Sequence, residues 1–316
     1  MINIVHLITE LNTGGAERML HRLVSKMDPN KFRSKVVSMT DIGPIGEEIR
    51  AEGMAVFTLG MSLGKPTFRG IADLIKFLRG QTVDILQTWL YHADLLGLLA
   101  GKAARVENIV WNIRCSDMHL QNYRFLTSLT VRTAGILSRM PDAIVVNSSR
   151  GKEIHERRGY YSKKMELIPN GIDTKLFKPD EIARDWLLKE LKLPDDVDLI
   201  GLVARFDPMK DHRNFVKAAS ILSKRLKNIH FVLVGDGIAE GNREFINLFN
   251  GGLFNGRVHM LGLRSDIPKI TAAFDIATSS SYYGEGFSNT IGEAMACGVP
   301  CVVTDVGDSA QIVANT

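Results

Sequence analysis

The chain has 316 residues, 45% of them hydrophobic and 23% charged, with a net charge of +4. That length exceeds what one hydrophobic core usually supports, so two domains are expected, and the balance excludes a disordered or fibrous chain. Cys115, Cys297 and Cys301 are too few for a disulfide framework, no apolar run approaches the roughly 18 to 20 residues that span a bilayer, and Met1 to Ile8 carry no cationic leader, so a cytoplasmic protein is expected.

Short β-branched runs alternate with helix-period stretches along the whole chain. Strands are predicted at 3–8, 35–39, 55–59, 83–87, 108–113, 143–147 and 165–168, and then at 199–204, 230–234, 258–261, 275–278 and 300–304, with helices such as 16–27, 68–79 and 213–226 between them. Repeated β-α alternation predicts parallel sheets covered on both faces, because parallel strands need crossover helices. The periodicity breaks at Ile168-Pro169-Asn170-Gly171-Ile172-Asp173, which divides the chain into domains 1–172 and 173–316. Ligands of such sheets bind at the carboxyl ends of strands, so the residues that follow strands carry the search for a site.

After the first strand, Gly14-Gly15-Ala16-Glu17 opens a helix whose unpaired N–H groups suit an anion, and it also fits a plain tight turn. The same position in the second half holds Arg205-Phe206-Asp207-Pro208-Met209-Lys210. A turn at Asp207-Pro208 brings Arg205 and Lys210 toward one point, a pair of cations suited to a diphosphate. Gly235-Asp236-Gly237 ends a later strand, with glycine spacing wrong for a dinucleotide loop.

Residues 282–300 read YYGEGFSNTIGEAMACGVP and place Glu285 and Glu293 around the start of one helix. Thr290-Ile291-Gly292-Glu293 has capping-box spacing, which gives Glu293 a structural reason and leaves Glu285 without one. Amides around Ser288, Asn289 and Thr290 suit a phosphate, and the flanking glutamates suit hydroxyl hydrogens, which together describe a sugar nucleotide.

Charge is uneven along the chain. Residues 1–170 carry 23 Lys and Arg against 16 Asp and Glu, net +7, and residues 171–316 carry 16 against 19, net −3. The cluster Arg150, Lys152, Arg157, Arg158, Lys163 and Lys164 suits an anionic membrane surface, and equally a solvated helix face. No stacked aromatic platform or helix-turn-helix pattern points to nucleic acid. Cys297-x3-Cys301 lacks partner ligands for zinc, and Asp196-Val197-Asp198 sits in a turn before a strand, so no metal site is expected.

With these residues in place, the chain resembles a retaining glycosyltransferase of the large family called group 1 or family 4, with the two-Rossmann GT-B fold. Glu285 to Glu293 match its E-x7-E motif, within EGFSNTIGEAMACGVPCVVTDVG, and the Gly14–Glu17 loop, IPNGID, the Arg205/Lys210 pair and Gly235-Asp236-Gly237 follow in the family's order. The resemblance implies an α/β protein of two doubly wound domains facing across a cleft, the first on the acceptor side and the second for the nucleotide-sugar. It implies catalytic roles for Glu285, Arg205 and Lys210. Donor contacts would come from Gly15, from the backbone at Leu263 and Arg264 for the base, from Gly286, Phe287, Ser288, Asn289 and Thr290, and from Glu293 for the ribose. The implied reaction moves a hexose or N-acetylhexosamine from a nucleotide-sugar, most commonly a UDP-sugar, to a glycan or lipid-linked acceptor in bacterial surface polysaccharide or lipopolysaccharide assembly, without metal and with the anomeric configuration retained. Other relatives of the fold are nucleotide-sugar epimerases, and a catalytically silent nucleotide-sugar-binding subunit is a further reading.

Two departures stand out. Where many family members carry a histidine, this chain has Arg114, with Asp117 and His119 further on; Arg114 is expected to contact donor phosphate or an acidic group. The family also continues past the segment that ends here at Thr316, so the second domain is expected to be incomplete at that end.

Overall fold

The computed structural model describes residues 1–62, 67–116, 125–249, 254 and 256–314. The chain divides into two compact units, Met1–Asn170 and Gly171–Thr316.

The first unit runs β1 (Ile2–Ile8), α1 (Gly15–Lys26), β2 (Phe32–Ser38), α2 (Gly43–Ala51), β3 (Val56–Thr58), α3 (Phe68–Arg79), β4 (Ile85–Trp89), α4 (Tyr91–Ala104), β5 (Asn108–Ile113), α5 (Phe125–Leu137), β6 (Ala143–Val146), α6 (Ser149–Arg157) and β7 (Met165–Leu167). Its strands form one parallel sheet in the order β3-β2-β1-β4-β5-β6-β7. Because successive strand residues point to opposite faces, Leu7 joins the core under α3 and α4 while Ile8 joins the one under α1 and α2. The chain winds from β1 outward to β3, then returns to the other side of β1 with β4, so the winding reverses between β1 and β4.

The second unit runs α7 (Ala183–Leu191), β8 (Asp198–Val203), α8 (His212–Arg225), β9 (Ile229–Val234), α9 (Arg243–Asn247), β10 (Val258–Met260), α10 (Ile267–Ala272), β11 (Ile276–Ser279), α11 (Asn289–Ala296), β12 (Cys301–Val303) and α12 (Ser309–Val313). Its parallel sheet has the order β10-β9-β8-β11-β12, with the reversal between β8 and β11. Every predicted strand is present, each within a few residues of its expected bounds.

One device recurs three times. Asp84, Asp142 and Asp275 each stand immediately before a strand, and each accepts the N–H of the residue that opens, or is second in, the neighbouring strand: Asn3 at 2.7 Å, Ile109 at 2.8 Å and Leu199 at 2.7 Å. The sheet thus gains a charge-assisted bond at its amino-terminal edge, where a ladder would otherwise leave a donor unpaired. At Asp84 the Asn3 backbone amide, followed by the Asn3 side chain, holds the carboxyl below its ordinary range. That contribution is present above the unfolded-state pKa and is lost as pH falls through the lower folded-state value. Asp275 also pairs with Arg184 at 3.4 Å. Asp275→Ala is expected to lower the stability of the second unit by about 1–2 kcal/mol, measured as an earlier urea-unfolding midpoint in Trp186 emission.

Candidate active site

In each sheet the reversal of winding leaves two loops side by side at the carboxyl edge, because the helices that follow the two central strands leave in opposite directions. In the second unit these loops follow β8 and β11, and they carry most of the residues singled out above.

The β8 loop turns where the sequence predicts. Asp207 accepts the Met209 N–H at 2.8 Å and so starts a short 3-10 turn over Pro208–Lys210, while its other oxygen accepts from Arg205 Nε at 3.3 Å. Asp211 then caps α8 by accepting the Asn214 N–H at 3.1 Å. Gly235 supports this loop from β9: it has φ +152, and a Cβ there would stand 2.2 Å from the Ala204 carbonyl oxygen. The Phe206 N–H donates to the Asp236 carbonyl at 2.7 Å, so the Gly235-Asp236-Gly237 turn is a brace for the Arg205 loop.

The β11 loop is stitched to it. Ser280 Oγ donates to the Lys210 carbonyl at 2.7 Å, and the Tyr282 N–H donates to the Met209 carbonyl at 2.8 Å. Lys210 Nζ pairs with Glu285 Oε1, and Ser281 Oγ donates to the same oxygen at 2.9 Å. Thr304 Oγ1 in turn donates to the Ser281 carbonyl at 2.5 Å. Gly307, with φ +62, lies flat against the backbone here, since a Cβ would come within 2.3 Å of the Glu285 carbonyl oxygen and 2.5 Å of that of Gly286. The Asp308 N–H donates to the Gly286 carbonyl at 3.0 Å. Ser280, Ser281, Thr304 and Gly307 were not among the expected site residues. The serine run after β11 was the available signal for the first two.

Glu285 is 9% exposed, so its charge needs compensation. Burial pushes its carboxyl up, but the Lys210 charge, the bonds from Lys210 and Ser281, and the more distant Arg205 outweigh that, and the group sits below its ordinary range. Lys210 meets Glu285 directly, and Arg205, bonded to Asp207, adds a more distant positive charge to the same carboxylate.

Glu293 is buried inside α11, and the capping box expected of Thr290 and Glu293 does not form. The helix begins two residues earlier than that box requires: the Ser288 carbonyl accepts the Gly292 N–H at 3.2 Å, Ser288 is the cap position and makes no side-chain cap bond, and Thr290 is already helical. Gly286 and Ser288 are buried, and Phe287, Asn289 and Thr290 are partly so. Leu263 is 63% exposed after β10, and Arg264 is locked by Asp266 at 2.6 and 2.8 Å and by Glu190 at 2.6 Å, which hold its guanidinium above its already high range. The Arg264 side chain is committed to this network, which leaves the backbone of 263–264 as the part available for recognition.

Gly15 and Arg114 stand on the first unit's carboxyl edge. Gly15 is the exposed first residue of α1, with Gly14 at the cap position and no side-chain cap bond. Arg114 follows β5 and stacks over the Trp89 ring with 4.8 Å to its centroid. Asp117 and His119 lie outside the described residues.

Asp198 opens β8, and Asp196 accepts from Asn228 at 3.2 Å, so the Asp-x-Asp sequence is structural. Burial pushes Cys297 and Cys301 up to about 11. Among the described residues, no group of three or more His, Cys, Asp and Glu side chains is placed to hold a metal ion.

Removing the cation tests the central pair. Lys210→Met leaves Glu285 buried and uncompensated, which is expected to cost about 3 kcal/mol at pH 8. Its carboxyl then lies above, instead of below, the unfolded-state value, so the penalty relative to the parent shrinks as pH falls through that raised value. Urea-unfolding midpoints of the two proteins at pH 8 and pH 5 read the difference.

The family model for Glycosyltransferase Family 4 matches residues 13–176, and that for Glycosyl transferases group 1 matches residues 198–316. EpsF of Bacillus subtilis (strain 168) is 29% identical over 96% of this chain and 79% of its own length. The UDP-Gal:alpha-D-GlcNAc-diphosphoundecaprenol alpha-1,3-galactosyltransferase of Escherichia coli is 25% identical over 86% of this chain and 70% of its own. Among solved structures, Anabaena Alr3699/HepE in complex with UDP-glucose superposes with a TM-score of 0.83 at 23% identity, covering 98% of this chain and 82% of that one. WaaG, a glycosyltransferase involved in lipopolysaccharide biosynthesis, gives 0.73 at 16% identity, over 99% and 84%. With two parallel α/β units, the loops that the reversals bring together and family models that match both units, the chain belongs to the group 1, family 4 glycosyltransferases of GT-B fold.

Proposed function

We propose that the chain moves a hexose or N-acetylhexosamine from a nucleotide diphosphate sugar to a lipid-linked glycan, with retention of anomeric configuration and without a metal ion. The observation that carries this reading is the pairing of Lys210 with the buried Glu285, with Arg205 beside it, at the reversal point of the second sheet. A donor diphosphate brings negative charge to cations that are already gathered and oriented, and the start of α11, where the Ser288 side chain makes no cap bond, adds the positive end of a helix.

In this scheme Arg205 and Lys210 hold the diphosphate, and Lys210 exchanges its carboxylate partner for phosphate oxygen. Glu285, still held by Ser281, then accepts a hydrogen bond from a hydroxyl of the transferred sugar. Glu293 accepts from the ribose, and the backbone at Leu263 and Arg264 meets the base. As the bond between the sugar and phosphate breaks, charge grows on the phosphate oxygen that these fixed cations face, which is electrostatic preorganisation. The same oxygen takes the proton of the acceptor hydroxyl, which attacks from the face the phosphate leaves, so the configuration is kept.

A UDP-sugar and a diphosphate-linked polyprenol acceptor are favoured by the Escherichia coli relative, whose printed name contains both. A relative from Mycolicibacterium smegmatis is named a GDP-mannose-dependent alpha-mannosyltransferase, so the base needs a direct test. Calorimetric titration of UDP, GDP and ADP without metal is expected to show one preferred nucleotide. Glu293→Ala should weaken it by roughly tenfold, the loss of a charge-assisted hydrogen bond. Absence of binding by any of the three would overturn the reading.

A lipid-linked acceptor calls for contact with a membrane surface. No described helix is long and apolar enough to cross a membrane. One outward face of α5 and the residues after it exposes Phe125 (77%), Leu129 (47%), Ile136 (79%) and Met140 (46%), with Arg132 and Arg139 among them. Apolar side chains edged by arginine suit the boundary of an anionic bilayer. The cluster expected from sequence is less available: Arg150 and Arg157 share Glu153 at 3.1 and 3.8 Å, and Lys164 donates to the carbonyls of Arg139 and Pro141. Replacing Phe125, Leu129 and Ile136 by serine is expected to reduce co-sedimentation with phosphatidylglycerol vesicles severalfold, and an unchanged bound fraction would remove α5 from the contact.

A further inference from the structure

The first sheet has its own reversal point, between β1 and β4, and the end of β4 is built unlike an ordinary strand end. Trp89 is 1% exposed, and Leu90, which follows it, holds φ 74, a left-handed conformation that costs a β-carbon residue energy. Arg114 lies over the Trp89 ring, and among the described residues no carboxylate pairs with it. Its Nε is buried without a hydrogen-bond partner, and so is the indole Nε1 of Trp89.

Strand alternation shows what shares this face. Trp111 and Ile113 of β5 point into the core under α4, so Asn112 and Arg114 point the other way, toward Trp89. In β6, Ile144 and Val146 point into that same core, and the residue after Val146 is Asn147. The register of the two strands ends with Ile113 beside Val146, so Arg114 and Asn147 are the residues that leave their neighbouring ends. Asn112 and Asn147 are 2% and 3% exposed, and the Oδ1 atom of each is buried without a partner.

A desolvated guanidinium normally has a carboxylate or phosphate against it. Burial lowers Arg114 only to about 10, so it stays charged near neutral pH. A charged group with no counter-ion among the described residues, beside an orphaned indole N–H and two asparagine amides that can each donate or accept, matches a ligand that is an anion surrounded by hydroxyls.

We infer that Arg114, seated on Trp89 and flanked by Asn112 and Asn147, is a specificity-determining anion subsite for a carboxylate or phosphate carried on a sugar. The inference rests on the chain being a sugar-transferring enzyme. Two sources share this chemistry: the carboxylate of a uronic acid, and the phosphate of a sugar phosphate at the head of a lipid-linked acceptor.

The test uses the full chain and follows tryptophan emission during titration with glucuronate, with N-acetylglucosamine 1-phosphate and with neutral glucose. One anion is expected to change the emission at concentrations where glucose does not. The change should vanish in Trp89→Phe, and the apparent affinity should fall at least tenfold in Arg114→Met. Arg114→Lys keeps the charge and should retain part of the binding, which separates loss of the cation from loss of folding. A response to glucuronate assigns the subsite to a uronic acid, and a response to the sugar phosphate assigns it to the acceptor head. No response to either anion, or equal affinity in Arg114→Met, overturns the inference. UDP, GDP and ADP titrated into the same samples report the second unit separately: nucleotide binding with no anion response sinks the subsite alone, and no binding of any of the three by the parent sinks the proposed function while the anion titration still decides the subsite.

Discussion

Parallel strands cannot be joined by a hairpin, and that constraint sets the location of the candidate site residues in each unit. Each strand passes to a crossover helix, each helix returns the chain to the same edge, and all the strand-to-helix loops collect at the carboxyl ends. Where the winding reverses, the two central loops are not separated by a helix, and a crevice opens between them. The first unit reverses between β1 and β4, and the second between β8 and β11. Gly15 and Trp89 belong to one of these reversals, and Lys210 and Glu285 to the other.

The second unit shows how such a crevice becomes a defined site. Loops are the least constrained parts of a fold, yet here the loops after β8 and β11 are tied by Ser280, by the Tyr282 N–H and by the Lys210–Glu285 pair, and braced from outside by Gly235 and Gly307. The two glycines act in the same way: each allows one backbone to lie against another at a distance that a β-carbon would forbid. The outcome is a buried carboxylate and a cation held ready by groups that have little freedom to move. A site of this kind meets a charged ligand with little reorganisation. The first unit repeats the geometry with a different filling, because its cation has an aromatic ring beneath it and, among the described residues, no carboxylate paired with it.

The legibility of these features from sequence follows their range. Strand positions were readable, since a run such as 230–234, with Phe231 and Leu233 on one face and Val232 and Val234 on the other, is apolar on both faces only if helices cover both. The turn at Asp207-Pro208 was readable too, because proline and an accepting aspartate side chain act locally. The capping box was misread. Thr290 and Glu293 have the right spacing, but the helix start was set by Ser288, whose position depends on the β11 loop, and spacing alone does not reveal where a helix begins. Gly307 was missed for a related reason: it is 22 residues from Glu285 and meets it only after β12 is laid beside β11.

By itself the sequence determined the β-α alternation, a break within residues 168–173, the cations at 205 and 210 and the acids at 285 and 293, because each is written in local periodicity, in turn chemistry or in residue type. The tertiary structure alone decided the partners. It gave Lys210 to Glu285 across 75 residues, committed Arg264 to Glu190 and Asp266, and laid Arg114 on Trp89 with no counter-ion among the described residues. Charge is a property of a residue, whereas compensation of charge is a property of what the fold places within a few ångströms of it.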